Sequence, residues 1–176
     1  MKNELSEEPV LKISFTGHRP KSLPWGYDET KESYFKFRKV MQKAIKQAIK
    51  NGYFYFITGM ALGIDMICAE IVLEFKQKYK NLILECAIPC KNQFKKWSKS
   101  QQERYHKILE KADIINFVSN KEYQFGCMIK RNEYMVEKCD ALIVVWNGGS
   151  SGTKETIKIA RKLGKKVKII DPNNPK

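Results

Sequence analysis

The stretch from Ala141 to Glu155, A-L-I-V-V-W-N-G-G-S-S-G-T-K-E, constrains this chain more than any other. Ala141–Trp146 is a short apolar run bounded by turn residues, the pattern of a strand buried on both faces. Such a strand needs a sheet that is covered on both sides. Asn147–Gly152 is polar and glycine-rich, and Thr153–Leu163 then carries Ile157, Ala160 and Leu163 at helical spacing. A buried strand, a glycine loop and a helix start together make an anion site. Glycines let the backbone come close, free N–H groups point at the anion, and the helix dipole favours negative charge. The loop is not a Walker A sequence, because Lys154 follows Thr153 where that pattern needs Lys before Ser or Thr, and it is not G-x-G-x-x-G. A tight strand-to-helix turn without a ligand is the competing reading.

The rest of the chain repeats the alternation. Leu11–Thr16 reads as a first strand running into Gly17-His18-Arg19-Pro20, a donor-rich turn. A loop with Trp25 and Tyr27 follows, and Tyr34–Asn51 carries Phe37, Val40, Met41, Ala44, Ile45, Ala48 and Ile49 as one helical stripe, stopped by Asn51-Gly52. Tyr53–Thr58 is a second strand, Gly59–Asp65 a second glycine turn, and a helix is predicted from there to about Tyr79. Leu82–Ile88, Ile114–Val118 and Lys166–Ile170 are further strands, with helices over Ser98–Lys111 and Met128–Lys138. This order predicts an α/β fold with a parallel sheet between two helical layers. Ligands of such sheets sit at the carboxyl ends of the strands, near a topological switch point. The turns at Gly17–Pro20, Gly59–Asp65 and Asn147–Thr153 all fall at that end. One domain is expected, with its core over about 11–171, and Met1–Pro9 is expected to fray.

Composition excludes some functions. At 176 residues, with 43% hydrophobic and 30% charged residues, the sequence fits a soluble globular domain and shows no membrane-spanning run or signal-peptide core. Of the five cysteines, Cys68, Cys86, Cys90, Cys127 and Cys139, the Cys86-x-x-x-Cys90 pair has a spacing that suits a metal, but neither of the two histidines is near it in sequence, so a cytoplasmic protein with reduced thiols and no metal or cofactor is expected. The net charge of +14 is nearly all lysine and is spread along the chain, which suits an anionic partner without choosing one.

Several motifs together resemble the YpsA-like proteins of the SLOG superfamily: T-G-H-R-P at Thr16–Pro20, L-P-W-G-Y at Leu23–Tyr27, I-T-G-M-A-L-G-I-D at Ile57–Asp65 with Ala69-Glu70, R-N-E-Y-M-V at Arg131–Val136 and C-D-A-L-I-V-V at Cys139–Val145. The resemblance covers about Leu11 to Asp171. It implies a Rossmann-like three-layer sandwich with a mostly parallel sheet and a nucleotide or nucleotide-derived ligand, ADP-ribose-like or a nucleoside monophosphate, held by a sensor or sequestering protein. The superfamily also contains the Lonely Guy phosphoribohydrolases and the single-stranded-DNA-binding DNA-processing protein A group. Two alternatives follow: a nucleotide N-glycoside hydrolase and a single-stranded DNA-binding protein. Its members commonly dimerise, so a homodimer or higher homo-oligomer is an expectation too.

The ligand-binding set expected is Gly17, His18, Arg19, Gly59, Gly63, Asp65, Glu70, Asn132, Gly148, Gly149, Ser150, Ser151, Gly152 and Thr153. For the hydrolase the catalytic pair is Arg131 and Glu155. The Lonely Guy motif resembles P-G-G-x-G-T-x-x-E, and here Asn147 replaces the proline, one extra residue precedes Gly152, and the glutamate position falls on Thr156. Glu155 comes one residue early, a rotation of about 100° around a helix. Plainer roles compete at several positions: a turn-stabilising hydrogen bond for His18, a helix cap for Asp65, helix packing for Glu70, and an ion pair with Glu133 or Glu137 for Arg131. Trp25 and Tyr27 either stack on a base or pack on the core. Lys91–Lys99 interleaves Phe94 and Trp97 with lysines, a pattern suited to single-stranded nucleic acid.

Overall fold

In a computed structural model, which describes residues 9–149 and 151–176, the alternation read from the sequence closes into one sheet. The elements in order are β1 (Leu11–Gly17), α1 (Glu32–Lys50), β2 (Tyr53–Thr58), α2 (Ile64–Lys76), β3 (Ile83–Ile88) and α3 (Lys99–Leu109). They continue with β4 (Ile114–Phe117), α4 (Cys127–Lys138), β5 (Ala141–Val145), α5 (Gly152–Lys162) and β6 (Lys166–Ile170). The strand order is β4-β3-β2-β1-β5-β6, and every adjacent pair is parallel. From β1 the chain steps outward to β4, then returns through α4 to place β5 on the other side of β1. The reversal point therefore lies between the carboxyl ends of β1 and β5. This is the Rossmann-like α/β architecture that the motifs implied. The predicted Met1–Pro9 fraying falls outside the described residues, apart from Pro9, as does Ser150.

The two-residue period of the strands builds two cores. Ala141, Ile143 and Val145 join Phe15, Phe56, Leu84 and the inner faces of α1, α2 and α3, including Phe37, Met41, Ile45, Ile67 and Tyr105. Leu142 and Val144 face the other way, with Ile57 and with Met135, Val136, Ile157 and Ala160 of α4 and α5. All five residues of β5 are buried, as the continuous apolar run requires. The helix after the second glycine turn stops at Lys76, short of the predicted Tyr79, because the backbone closes there into turns with Lys78 and Tyr79 both donating to Phe75. Asp140 is structural: its Oδ2 accepts the Lys12 N–H at 2.7 Å and fixes the entry into β5 beside β1. No helix among the described residues is long and apolar enough to cross a membrane.

All five cysteines are free and buried. Burial pushes the Cys68 thiol well above its ordinary range and Cys86 up to about 12, and raises Cys90 and Cys139 as well. The thiolate is the reacting form, so the folded protein should give almost no colour with an aromatic disulfide reagent. Addition of denaturant should release five equivalents, one for each cysteine. Rapid reaction in native buffer would show that one of these side chains reaches solvent.

Candidate functional site

A cavity of about 290 Å³ opens where the strand order reverses, lined by Thr16 and Gly17 at the end of β1, His18, Arg19 and Ser22 after it, Ala61 and Asp65 before and within α2, Met128, Ile129, Arg131 and Asn132 of α4, and Ser151, Gly152 and Thr153 at the start of α5. The three turns singled out in the sequence thus meet in one place. Of the expected ligand-binding set, Gly17, His18, Arg19, Asp65, Asn132, Ser151, Gly152 and Thr153 line it, together with Arg131.

Arg131 is the centre of the arrangement. It is only 4% exposed, and its Nη1 lies 3.5 Å from Oδ2 of Asp65, itself 6% exposed. The same Nη1 donates to the Gly59 carbonyl, and Nε donates to Asn132 Oδ1 at 2.8 Å. Asn132 in turn donates from Nδ2 to Thr156 Oγ1 at 3.3 Å, which links α4 to α5. Asp65 does not cap α2: the N-cap is Gly63, while Asp65 Oδ2 accepts the Ala61 N–H at 3.2 Å and so holds the glycine turn. Burial raises the Asp65 carboxyl above its ordinary range even with the guanidinium beside it. Arg19, exposed at the mouth, is a second positive charge close enough to bear on both members of the pair. Arg131 has neither Glu133 nor Glu137 as its ion-pair partner.

His18, 7% exposed, bridges the two strands of the reversal. Its Nε2 stands 2.9 Å from Asn147 Oδ1 and 3.2 Å from the Asn147 backbone nitrogen. The contact holds in either tautomer, since Nε2–H donates to Oδ1 and a bare Nε2 accepts the backbone N–H. Asn147 Oδ1 also meets the Gly149 N–H at 3.2 Å, and Trp146 Nε1 donates to the Gly149 carbonyl at 2.7 Å. At the start of α5, Ser151 is extended and provides no side-chain cap, and its buried Oγ has no hydrogen-bond partner among the described residues. The helix start therefore leaves backbone N–H groups without a side-chain cap beside a buried hydroxyl without a partner.

Other expected residues lie elsewhere. Gly59 serves Arg131: a methyl there would overlap the guanidinium. Gly148, at φ +89°, and Gly149 shape the turn after β5 and do not line the cavity. Gly63 forms the wall toward a neighbouring cavity. Glu70 is engaged by Arg104, which donates from Nε to Oε1 at 2.7 Å and from Nη2 to Oε2 at 2.6 Å. Glu155 is exposed on the outer side of α5, paired with Lys158 at 2.9 Å, and is absent from the cavity lining. Phe94 and Trp97 are half-buried against Tyr105, at 5.2 and 5.5 Å between ring centroids, so the interleaved segment does not offer its rings to a ligand.

The residues that the sequence reading passed over are Asn147 and Arg104. Asn147 opened the predicted glycine turn and replaced a proline, but was given no side-chain role, although an asparagine before two glycines is itself a turn signal. Arg104 lies on a polar helix stripe and carries no local mark.

A parallel sheet of this order, with a cavity at its reversal point, defines a Rossmann-like α/β protein of the switch-point class. The YpsA model, described as the YspA SLOG family, matches residues 13–172, and the chain belongs to that family. It is 25% identical over 169 residues to the UPF0398 protein BH1768 of Halalkalibacterium halodurans, covering 92% of this chain and 88% of that one. It is 34% identical over 137 residues to the uncharacterized SPbeta prophage-derived protein YoqJ of Bacillus subtilis, covering 70% and 80% respectively. Among solved structures it resembles DNA processing protein A of Helicobacter pylori, described for its single-stranded DNA binding mode, with a TM-score of 0.62, 19% identity and coverage of 94% of this chain and 70% of that one. The same protein from Streptococcus pneumoniae matches with a TM-score of 0.63 and 19% identity, and this chain spans 50% of it. At that identity the two structures establish the shared fold.

Proposed function

We propose that the protein binds a nucleotide-type ligand, with a phosphate at the start of α5, and acts as a sensor or sequestering protein. The observation that carries this is the meeting, in one cavity, of Arg19, Arg131, His18 and an uncapped helix start with an unpartnered Ser151 hydroxyl. A phosphate oxygen would accept from the N–H groups of Gly152 and Thr153 and from Ser151 Oγ, while Arg19 supplies charge from the rim. The buried thiols suit the reducing cytoplasm.

The hydrolase reading has less support. Departure of a base from a ribose needs a carboxylate at the sugar. Glu155 points to solvent with Lys158, and the one carboxylate among the lining residues, Asp65, is already committed to Ala61 and Arg131. Incubation with AMP, N6-substituted AMP and ADP-ribose, with thermal stabilisation and product chromatography read from the same samples, tests this. Stabilisation with the ligand recovered intact is expected, unchanged in Glu155→Gln. Release of free base, lost in Glu155→Gln, would reverse the reading in favour of the enzyme.

Single-stranded DNA is a second reading, supported by the +14 charge and by one arrangement of loops. Lys91 N–H donates to the Lys121 carbonyl at 3.1 Å and Tyr123 N–H to Asn92 Oδ1 at 2.7 Å, which holds a lysine-rich loop beside the exposed rings of Tyr123 and Phe125. Rings for bases and lysines for phosphates are what a single strand uses. A steep fall of oligonucleotide affinity with salt would mark this mode; a flat, weak response excludes it.

A further inference from the structure

A second cavity, of about 400 Å³, backs onto the first and is lined by Pro20, Trp25, Gly26, Tyr27, Glu29, Leu62, Gly63, Ser100, Gln101 and Arg104. The same two chain segments wall both. After β1, His18, Arg19 and Ser22 face the first cavity, while Pro20 and Trp25 face the second. Around the start of α2, Ala61 and Asp65 face the first, Leu62 and Gly63 the second. The ridge between them is thus Pro20 against Gly63. It is pared to the backbone: Gly63 has φ +95°, and a methyl on it would stand 2.7 Å from the His18 carbonyl oxygen and 3.1 Å from Pro20 Cδ.

The chemistry of the two cavities is opposite. The first gathers positive charge and an open helix start. In the second, the single cation is already spent, because Arg104 donates from Nη1 to Glu29 at 2.7 Å and forks onto Glu70. Ser100 and Gln101 are engaged with Ser98 at the start of α3, and the rest of the lining is mainly aromatic and apolar. Trp25, 1% exposed, is fixed against Phe37 at 4.8 Å and forms the floor. Tyr27, carried outward by the Gly26 turn at φ +62°, is 59% exposed, and Leu62 adds an apolar flank. Such a surface does not select a phosphate; it suits a flat heterocycle beside a hydroxyl-bearing sugar.

Building on the nucleotide reading above, we propose that this second cavity is the nucleoside subsite. The ligand lies across the Pro20–Gly63 ridge, its phosphate at the start of α5, its base on Tyr27 and its ribose hydroxyls toward Glu29. The ligand class is therefore a nucleotide recognised at both ends.

The experiment is calorimetric titration of the whole chain with inorganic phosphate, the four ribonucleoside monophosphates and ADP-ribose, using wild type, Tyr27→Ala, Tyr27→Phe and Arg19→Ala. At least one nucleotide should bind the wild type. Tyr27→Ala should weaken it by about tenfold, the size of one lost base–ring stack, with phosphate affinity and melting temperature unchanged, and Tyr27→Phe should restore it. Arg19→Ala should weaken nucleotide and phosphate alike. Equal nucleotide affinity in wild type and Tyr27→Ala would overturn the subsite and leave the nucleotide reading standing. Equal weakening of phosphate and nucleotide by Tyr27→Ala would also overturn it, as an effect transmitted through the fold. No binding of any probe to the wild type would overturn both readings.

Discussion

Arg131→Met is expected to lose about 3–5 kcal/mol of folding stability, measured by denaturant unfolding, together with ligand binding. Methionine keeps much of the bulk but leaves Asp65 buried without its counter-charge, and it frees the Gly59 carbonyl and Asn132 Oδ1. The sign of the pH dependence separates this cause from simple loss of packing. Burial already raises the Asp65 carboxyl above its ordinary 3.8, and the guanidinium is what pulls against that rise. Removal of Arg131 sends the folded-state value higher still. Below that value the carboxyl is protonated and neutral, so the penalty is present near neutrality and shrinks on the acid side. Asp65→Asn placed in the Arg131→Met background should recover part of the loss near neutral pH. A penalty that is flat with pH would assign it to packing alone.

Gly59→Ala should approach the same loss, roughly 3–5 kcal/mol, without removing either charge. The added methyl would occupy the space of the guanidinium, which is the far end of a flexible chain but is held on three sides by Asp65, Asn132 and the Gly59 carbonyl. Relief means breaking those contacts. Since both substitutions dissolve one arrangement, the Gly59→Ala, Arg131→Met double variant should be little worse than Arg131→Met alone. Full additivity of the two losses, again by denaturant unfolding, would show that Gly59 is required for a different reason. The glycine had read from sequence as an approach for a ligand; in the fold it is an approach for an arginine.

That reversal shows where sequence reasoning stops. Local pattern is enough for β2 or β5, whose runs of β-branched and aromatic residues leave no other element that could bury them. It is enough for the convergence of three turns too, because parallel strands alternating with helices put all the strand-to-helix turns at one end. Partners far apart in sequence leave no such trace. Nothing near Glu70 announces Arg104, and nothing near Arg131 announces Asp65, so a carboxylate that looked free for a ligand is tied to an arginine on the next helix. Phe94 and Trp97 were misleading for a similar reason. Their spacing among lysines is the same whether they point outward to a base or inward to Tyr105, and only the available core decides. Glu155 stands between these cases: the one-residue offset from the hydrolase pattern already rotated it away, and the helix keeps that rotation.

The strand order also has a consequence for synthesis. One side of β1 is completed early, when Tyr53 pairs with Leu11, but the other waits for Ala141 to reach Ile13. A chain emerging from the ribosome can assemble β1 to β4 with their helices while the edge of its central strand stays unpaired. His18 is already in place then, but Asn147, Arg131 and the start of α5 arrive late. The proposed anion site is therefore among the last parts of the fold to be completed, and a fragment released before β5 would carry a half-built core, an open central edge and no such cavity.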